Sequence, residues 1–295
     1  MPQTEWLQIQ CQSPAGAHRM AVRSWGSPTA PQTVVCVHGL TRVSQDFEPL
    51  ANRLSSRYWV LAPDVVGRGQ SDQLTDPSHY HVGQYAMDMQ AMAQQLGLAA
   101  VHWVGTSMGG LIAMVMAGQA AMGPGLRFRS LVLNDVGAVV SGPALDRIGA
   151  YLGSNPAFSS FEQARGLVEK IFAGFGPHTP EQWDFLAQSV LRTDASGQWR
   201  FHYDPRIAEP FRVAIAANGG RAADLDLWTL YDQIQAPTLL IRGEQSDLLT
   251  EAVAHEMTLR GPKAQLATIA GVGHAPSLLQ TDQIDLVEAF ISNQS

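Results

Sequence analysis

Short runs of apolar residues alternate along this chain with longer stretches whose apolar residues recur every three or four positions. The first pattern marks strands buried on both faces, the second amphipathic helices. The opening segments WLQIQC (6–11) and HRMAVRSWG (18–26) predict an antiparallel pair. TVVCVHG (33–39), YWVLAPDVVG (58–67), AVHWVG (100–105) and SLVLNDVG (130–137) read as further strands. Between them, residues 44–57 place Phe47, Leu50 and Leu54 on one helical face, with Ser44 as the N-cap. Residues 81–98 do the same with Tyr85, Met89, Met92 and Leu96 before a stop at Gly97. A third helical stretch, 106–122, has no charged residue and predicts a helix enclosed on most sides. Strand APTLLIRGEQSD (236–247), helix EAVAHEMTLRG (251–261), strand AQLATIAGVGH (264–274) and helix DQIDLVEAFISN (282–293) complete the chain.

This alternation predicts an α/β fold with a mostly parallel central sheet flanked by helices. It stops from about Gly137 to Leu230, where amphipathic helices are joined by Pro/Gly turns. The core is therefore assigned to 1–136 and 231–295, and 137–230 is read as a helical cap inserted after the sixth strand. Such an insertion is placed to cover the carboxyl ends of the strands, where open α/β sheets bind ligands.

Composition narrows the partners. The 295 residues are 45% apolar and 15% charged, enough to bury a large core. A formal charge of −7 argues against nucleic acid and anionic membrane. No apolar run reaches the ~18 residues of a membrane span, and MPQTEWLQIQ lacks the order of a secretory signal. The two cysteines, Cys11 and Cys36, fall in strand-like segments and are read as reduced core thiols of a cytoplasmic protein. A small molecule remains as the expected partner, with a homodimer left open.

The candidate chemistry centres on Gly105-Thr106-Ser107-Met108-Gly109, a G-x-S-x-G sequence between a strand and a helix. That setting holds a serine in a strained turn with its hydroxyl exposed above the sheet, and only small residues fit two positions to either side. A serine hydroxyl needs a base to take its proton and an acid to orient that base. In this architecture the chain order is Ser, then Asp or Glu, then His. Glu244 and Asp247 follow one downstream strand, and His274 follows the next in a Gly-rich loop. Asp135, after the strand that precedes the cap, also satisfies the order. No histidine pair has metal-ligand spacing together with a third ligand, so no metal is expected.

On these residues, and on VVCVHGL (34–40), PDVVGRGQSD (63–72), GTSMGG (105–110), RGEQSD (242–247) and GVGHAP (271–276), the chain resembles the α/β-hydrolase fold family over nearly its whole length. The resemblance implies an oxyanion hole made by the backbone N–H groups of Leu40 and Met108. It selects Asp247 as the acid and leaves Asp135 as a loop anchor. It implies that Asp64, Gly67, Gly69 and Ser71 shape the site without reacting, and that His38 holds backbone in the oxyanion loop. Arg42, just past that loop, is read as a candidate contact for an anionic substrate group or as a solvated side chain. Cap aromatics such as Phe172 and Phe175 are read chiefly as packing.

The expected activity is a cofactor-free serine hydrolase that cleaves a small carboxylic ester, with lactone and thioester as variants. Ser107, His274 and Asp247 would carry it through an acyl-enzyme. Two alternatives use the same site: a carbon–carbon bond hydrolase of aromatic degradation, disfavoured by Ala275 where such relatives carry Trp, and a slow-turnover small-molecule receptor. A haloalkane dehalogenase is excluded by Ser107, and a cofactor-free dioxygenase keeps only the His–Asp pair in common.

Overall fold

The structure, a computed structural model, describes residues 4–120 and 125–294. Its elements run β1 (Thr4–Ser13), β2 (Gly16–Trp25), β3 (Thr33–Val37), α1 (Glu48–Leu54), β4 (Trp59–Pro63), α2 (Val82–Gln95), β5 (Ala100–Thr106), α3 (Met108–Ala120) and β6 (Arg127–Asn134). The inserted segment follows as β7 (Val139–Val140), α4 (Gly142–Tyr151), α5 (Phe161–Ile171), α6 (Pro180–Val190), β8 (Leu191–Thr193), β9 (Trp199–Phe201), α7 (Glu209–Ala217), β10 (Leu225–Asp226) and α8 (Trp228–Tyr231). The core resumes with β11 (Thr238–Gly243), α9 (Glu251–Met257), β12 (Gln265–Ile269) and α10 (Thr281–Ser292).

Eight strands form one sheet in the order β1-β2-β4-β3-β5-β6-β11-β12. β1, β2 and β4 pair antiparallel, and every pairing from β4 through β12 is parallel. Alternate residues of each central strand face opposite ways, so each strand feeds two cores. Val34, Cys36, Val60, Val104, Val132 and Ile241 pack with Phe47, Leu50 and Leu54 of the first helical segment and Val287 and Ile291 of α10. Val35, Val37, Leu61, Trp103, Leu131 and Leu133 pack with Met89 and Met92 of α2 and Ile112 and Met114 of α3. The charge-free helix α3 accordingly buries most of its circumference. Ala121 and Met122, which end the third helical stretch of the sequence, and Met1–Gln3 lie outside the described residues. Cys11 and Cys36 are buried free thiols.

Two local expectations change. Ser44 does not cap α1: residues 44–47 form a 3-10 turn, and the Ser44 N–H donates to the Asp64 carboxylate at 2.7 Å. The inserted segment also holds two ribbons beside its helices, β7 with β10 and β8 with β9. Strands of two or three residues are too short to show a period-two pattern.

Candidate active site

Ser107 stands between β5 and α3 with φ +51°, in the left-handed region. Its N–H donates to the Asn134 carbonyl at 2.9 Å, which ties the turn to the neighbouring strand β6. The flanking glycines are there for close approach. A Cβ on Gly105 would run into the Gly109 backbone, and one on Gly109 into the Val37 carbonyl. The strain at Ser107, of order 1–3 kcal/mol, is held by this packing.

His274 comes from the loop after β12 and reaches over the carboxyl end of β11. Its Nε2 lies 2.9 Å from Ser107 Oγ and its Nδ1 lies 2.7 Å from Asp135 Oδ2. The carboxylate fixes the tautomer: Nδ1–H donates to Asp135, and Nε2 is left to accept the Ser107 proton. Asp135 is fully buried at the end of β6, with φ +55°. Its Oδ1 accepts the Gly243 N–H at 2.8 Å and its Oδ2 also accepts the Ser246 hydroxyl at 2.6 Å. Donors from the end of β11 and the loop after it thus aim the Asp135 carboxylate at His274.

This corrects the acid expected from the sequence. Asp247 does not touch His274; it pairs with Arg147 of α4, Oδ2 to Nε at 2.7 Å and Oδ1 to Nη2 at 2.8 Å. The pair is about half exposed, at 47% and 48%, and Arg147 draws the Asp247 carboxyl below its usual range against the opposing effect of burial. Glu244 is likewise elsewhere, accepting the Gly271 N–H at 2.9 Å. Chain order admitted both aspartates, and the choice between them depended on which strand end lies beside His274.

Of the two residues expected to donate to an oxyanion, Met108 adjoins Ser107 in sequence, and Leu40 follows Gly39, where an added Cβ would stand 3.8 Å from the Ser107 Cβ. Leu40 follows β3 and Met108 opens α3, and neither N–H bonds to another described backbone carbonyl. His38 holds the loop that carries Leu40, with Nδ1 donating to the Gly39 carbonyl at 2.7 Å and Nε2 accepting the Val65 N–H at 2.9 Å. That pattern requires a neutral ring, and burial pushes its pKa down to about 3. Asp64 accepts N–H groups of Ser44 and Gln70, and a Cβ on Gly69 would overlap its carboxylate.

Arg42 is neither solvated nor free. It is 4% exposed, makes two bonds to Asp46 at 2.7 Å, and donates to the Leu186 carbonyl and Ser189 of α6 at 3.1 and 3.0 Å. Its guanidinium also stacks over Phe172 and Phe175. Its role is to clamp the cap onto the core. A second tie joins the Gly273 N–H to the Gly174 carbonyl at 2.7 Å, next to His274.

A cavity of about 650 Å³ opens between cap and core on the His274 side. Tyr151, Leu167 and Phe201 give it an apolar wall, and Arg147, Lys170 and Asp247 give it charge. Elsewhere, Cys11, His18 and Asp88 bring one ligand atom each within 4.8 Å of one another. They already bond among themselves, His18 Nε2 to Asp88 Oδ2 at 3.0 Å. Burial pushes the Cys11 thiol up to about 12.

A family model described as alpha/beta hydrolase fold matches residues 32–280. A 3-hydroxybutyrate-oligomer hydrolase of Cupriavidus necator is 44% identical over 292 residues, 96% of each chain. A 2-(acetamidomethylene)succinate hydrolase of Mesorhizobium japonicum is 30% identical over 238 residues, 80% of this chain and 79% of that one. Among solved structures, an alpha/beta hydrolase of Novosphingobium aromaticivorans superposes with a TM-score of 0.85 at 35% identity, over 99% of both chains.

Proposed function

This chain belongs to the alpha/beta hydrolase family and is an esterase-type hydrolase, and from that premise we propose that it hydrolyses short oligoesters of a hydroxy acid such as 3-hydroxybutyrate. The reading rests on one observation above the others, the relay from Ser107 Oγ through His274 to buried Asp135 at 2.9 and 2.7 Å. In this reading Ser107 attacks the ester carbonyl as His274 Nε2 takes its proton. The Leu40 and Met108 N–H groups receive the charge that develops on the carbonyl oxygen. His274 then gives the proton to the leaving alcohol, and Asp135 stabilises the imidazolium between the two transfers. A water activated by the same histidine hydrolyses the acyl-enzyme. The Ser107 proton leaves with the alcohol, and the proton that His274 takes from water returns to Ser107 as the acid is released.

The substrate class draws support from the relative named for it and from the charge near His274. An oligomer of a hydroxy acid ends in a free carboxylate. The leaving group departs on the histidine side of the scissile bond, where the cavity carries Lys170 and the Arg147–Asp247 pair. Lys170 is exposed and is free to meet such a carboxylate.

The test is release of free acid from 3-hydroxybutyrate dimer and trimer by wild type and Ser107→Ala. Multiple turnover that drops by about 10³-fold or more in the variant is expected. Activity retained by the variant would sink the nucleophile assignment. An enzyme inert on the oligomers but Ser107-dependent on p-nitrophenyl butyrate would sink the substrate class alone.

A further inference from the structure

The loop Gly67-Arg68-Gly69 buries a cation directly behind the two oxyanion donors. Arg68 is 1% exposed. Its Nε donates to the Leu40 carbonyl at 2.8 Å, and its Nη2 approaches Met108 Sδ at 3.7 Å. Its Nη1 donates to the Val66 carbonyl at 2.7 Å and to the Tyr85 hydroxyl at 3.0 Å. The guanidinium carbon sits 5.0 Å from the Tyr85 ring centroid and 5.9 Å from that of Tyr80. All of these hydrogen-bond partners are neutral, as are the Leu249 and Glu244 carbonyls that accept from buried Arg242 of β11, whereas buried Arg42 is paired with Asp46; of the three, Arg68 is the one bonded to both Leu40 and Met108.

A buried charge held by neutral dipoles rather than a counter-charge is expensive. The cost has a use where negative charge must appear during a reaction, because a fixed cation in a water-excluded site acts on that charge without reorganising. Arg68 contacts both residues that donate to the oxyanion, and through the Leu40 carbonyl it fixes the orientation of the loop from which the Leu40 N–H projects. Its charge already acts on neighbours: alongside burial, which dominates, it helps keep His38 neutral.

We propose that Arg68 is a positioning residue of the oxyanion hole, which aligns the Leu40 and Met108 donors and whose buried charge favours the tetrahedral intermediate over the bound ester. This role rests on the Ser107 acyl-enzyme reading. It differs from a packing role in one respect: it acts on kcat and leaves ester binding alone.

The experiment compares wild type, Arg68→Met and Arg68→Lys on p-nitrophenyl butyrate, with inhibition by an alkyl trifluoromethyl ketone, whose serine adduct carries an oxyanion, and with thermal melting. Arg68→Met is expected to lose about 10- to 100-fold in kcat with KM within about twofold, less than the 10²–10³ of losing a direct donor. The ketone's Ki should rise by the same factor as kcat falls, and Tm should stay within a few degrees. Arg68→Lys keeps the charge and loses the planar fork, so it should fall between the two. If Arg68→Met does not fold, Arg68→Lys carries the test by the same proportionality between kcat and Ki. Unchanged kcat, or a kcat loss with Ki unchanged, would overturn the role of Arg68 alone. A wild type whose turnover does not depend on Ser107 would overturn the underlying reading and this role with it.

Discussion

Two aspartates sit within one residue-scale decision. Asp135 is buried, accepts three hydrogen bonds and meets His274, whereas Asp247 is half exposed and meets Arg147. Asp135→Asn should lower kcat by about 10³–10⁴-fold, since an amide would present the wrong partner to the imidazole. Asp247→Asn should leave kcat within about threefold, measured on the same ester. The opposite ranking would restore Asp247 as the acid. Ser107 and His274, which the structure sets 2.9 Å apart, could be singled out because each carries a local signature, a tight glycine turn for Ser107 and a Gly-rich loop after a strand for His274. The acid has no such signature. Any carboxylate at the end of a suitable strand satisfies the chain order, and the deciding contacts, Gly243 N–H and the Ser246 hydroxyl on Asp135, join positions more than a hundred residues apart. Arg68 was overlooked for a related reason. In the sequence it is one arginine among exposed-looking polar residues, and its burial arises only when Tyr80, Tyr85 and Leu40 close around it.

At the scale of elements, the cap is fastened by unlike bonds. The Arg42–Asp46 pair is mostly withdrawn from water, while the Arg147–Asp247 pair is half exposed. Removing one member of a buried pair strands the other charge, at about 3–5 kcal/mol, but an exposed pair contributes about 0–1 kcal/mol. Arg42→Ala should therefore lose about 3 kcal/mol in urea unfolding, and Arg147→Ala under 1 kcal/mol. Equal losses would mean that burial does not govern these pairs. The core elements matched the hydrophobic pattern closely because long buried strands and amphipathic helices carry strong periodicity. The cap did so less, because its ribbons are short and its attachment runs through backbone carbonyls and a buried arginine, which leave no periodic trace.

For the molecule as a whole, five histidines are pushed down by burial, three of them far: His38 and His202 to about 3, and His102 to about 4, with His81 and His178 also lowered. His102 shows how the neutral ring is used, with Ser130 Oγ and Gln32 Oε1 each at 2.8 Å from a ring nitrogen. In the unfolded chain these rings take up protons near pH 6.5. In the folded chain His38, His102 and His202 resist until about pH 4 or below. Below pH 6.5 the unfolded state therefore binds more protons, and stability must fall as pH drops through that window while remaining level above it. Urea midpoints measured from pH 8 to pH 4.5 should be flat at first and then decline, with a shallower decline in His102→Gln. A midpoint unchanged down to pH 4.5 would contradict the buried neutral rings.

With Asp135 at the end of β6 meeting His274, Asp247 in the loop after β11 is left to pair with Arg147. The end of β11 and the loop after it do two mechanical jobs, bracing Asp135 through Gly243 and Ser246 and hooking α4 through Asp247. The contacts that hold His274 and those that hold α4 are thereby separate. Charge swaps at positions 147 and 247 should therefore alter how α4 is held while the Ser107, His274 and Asp135 contacts stay in place.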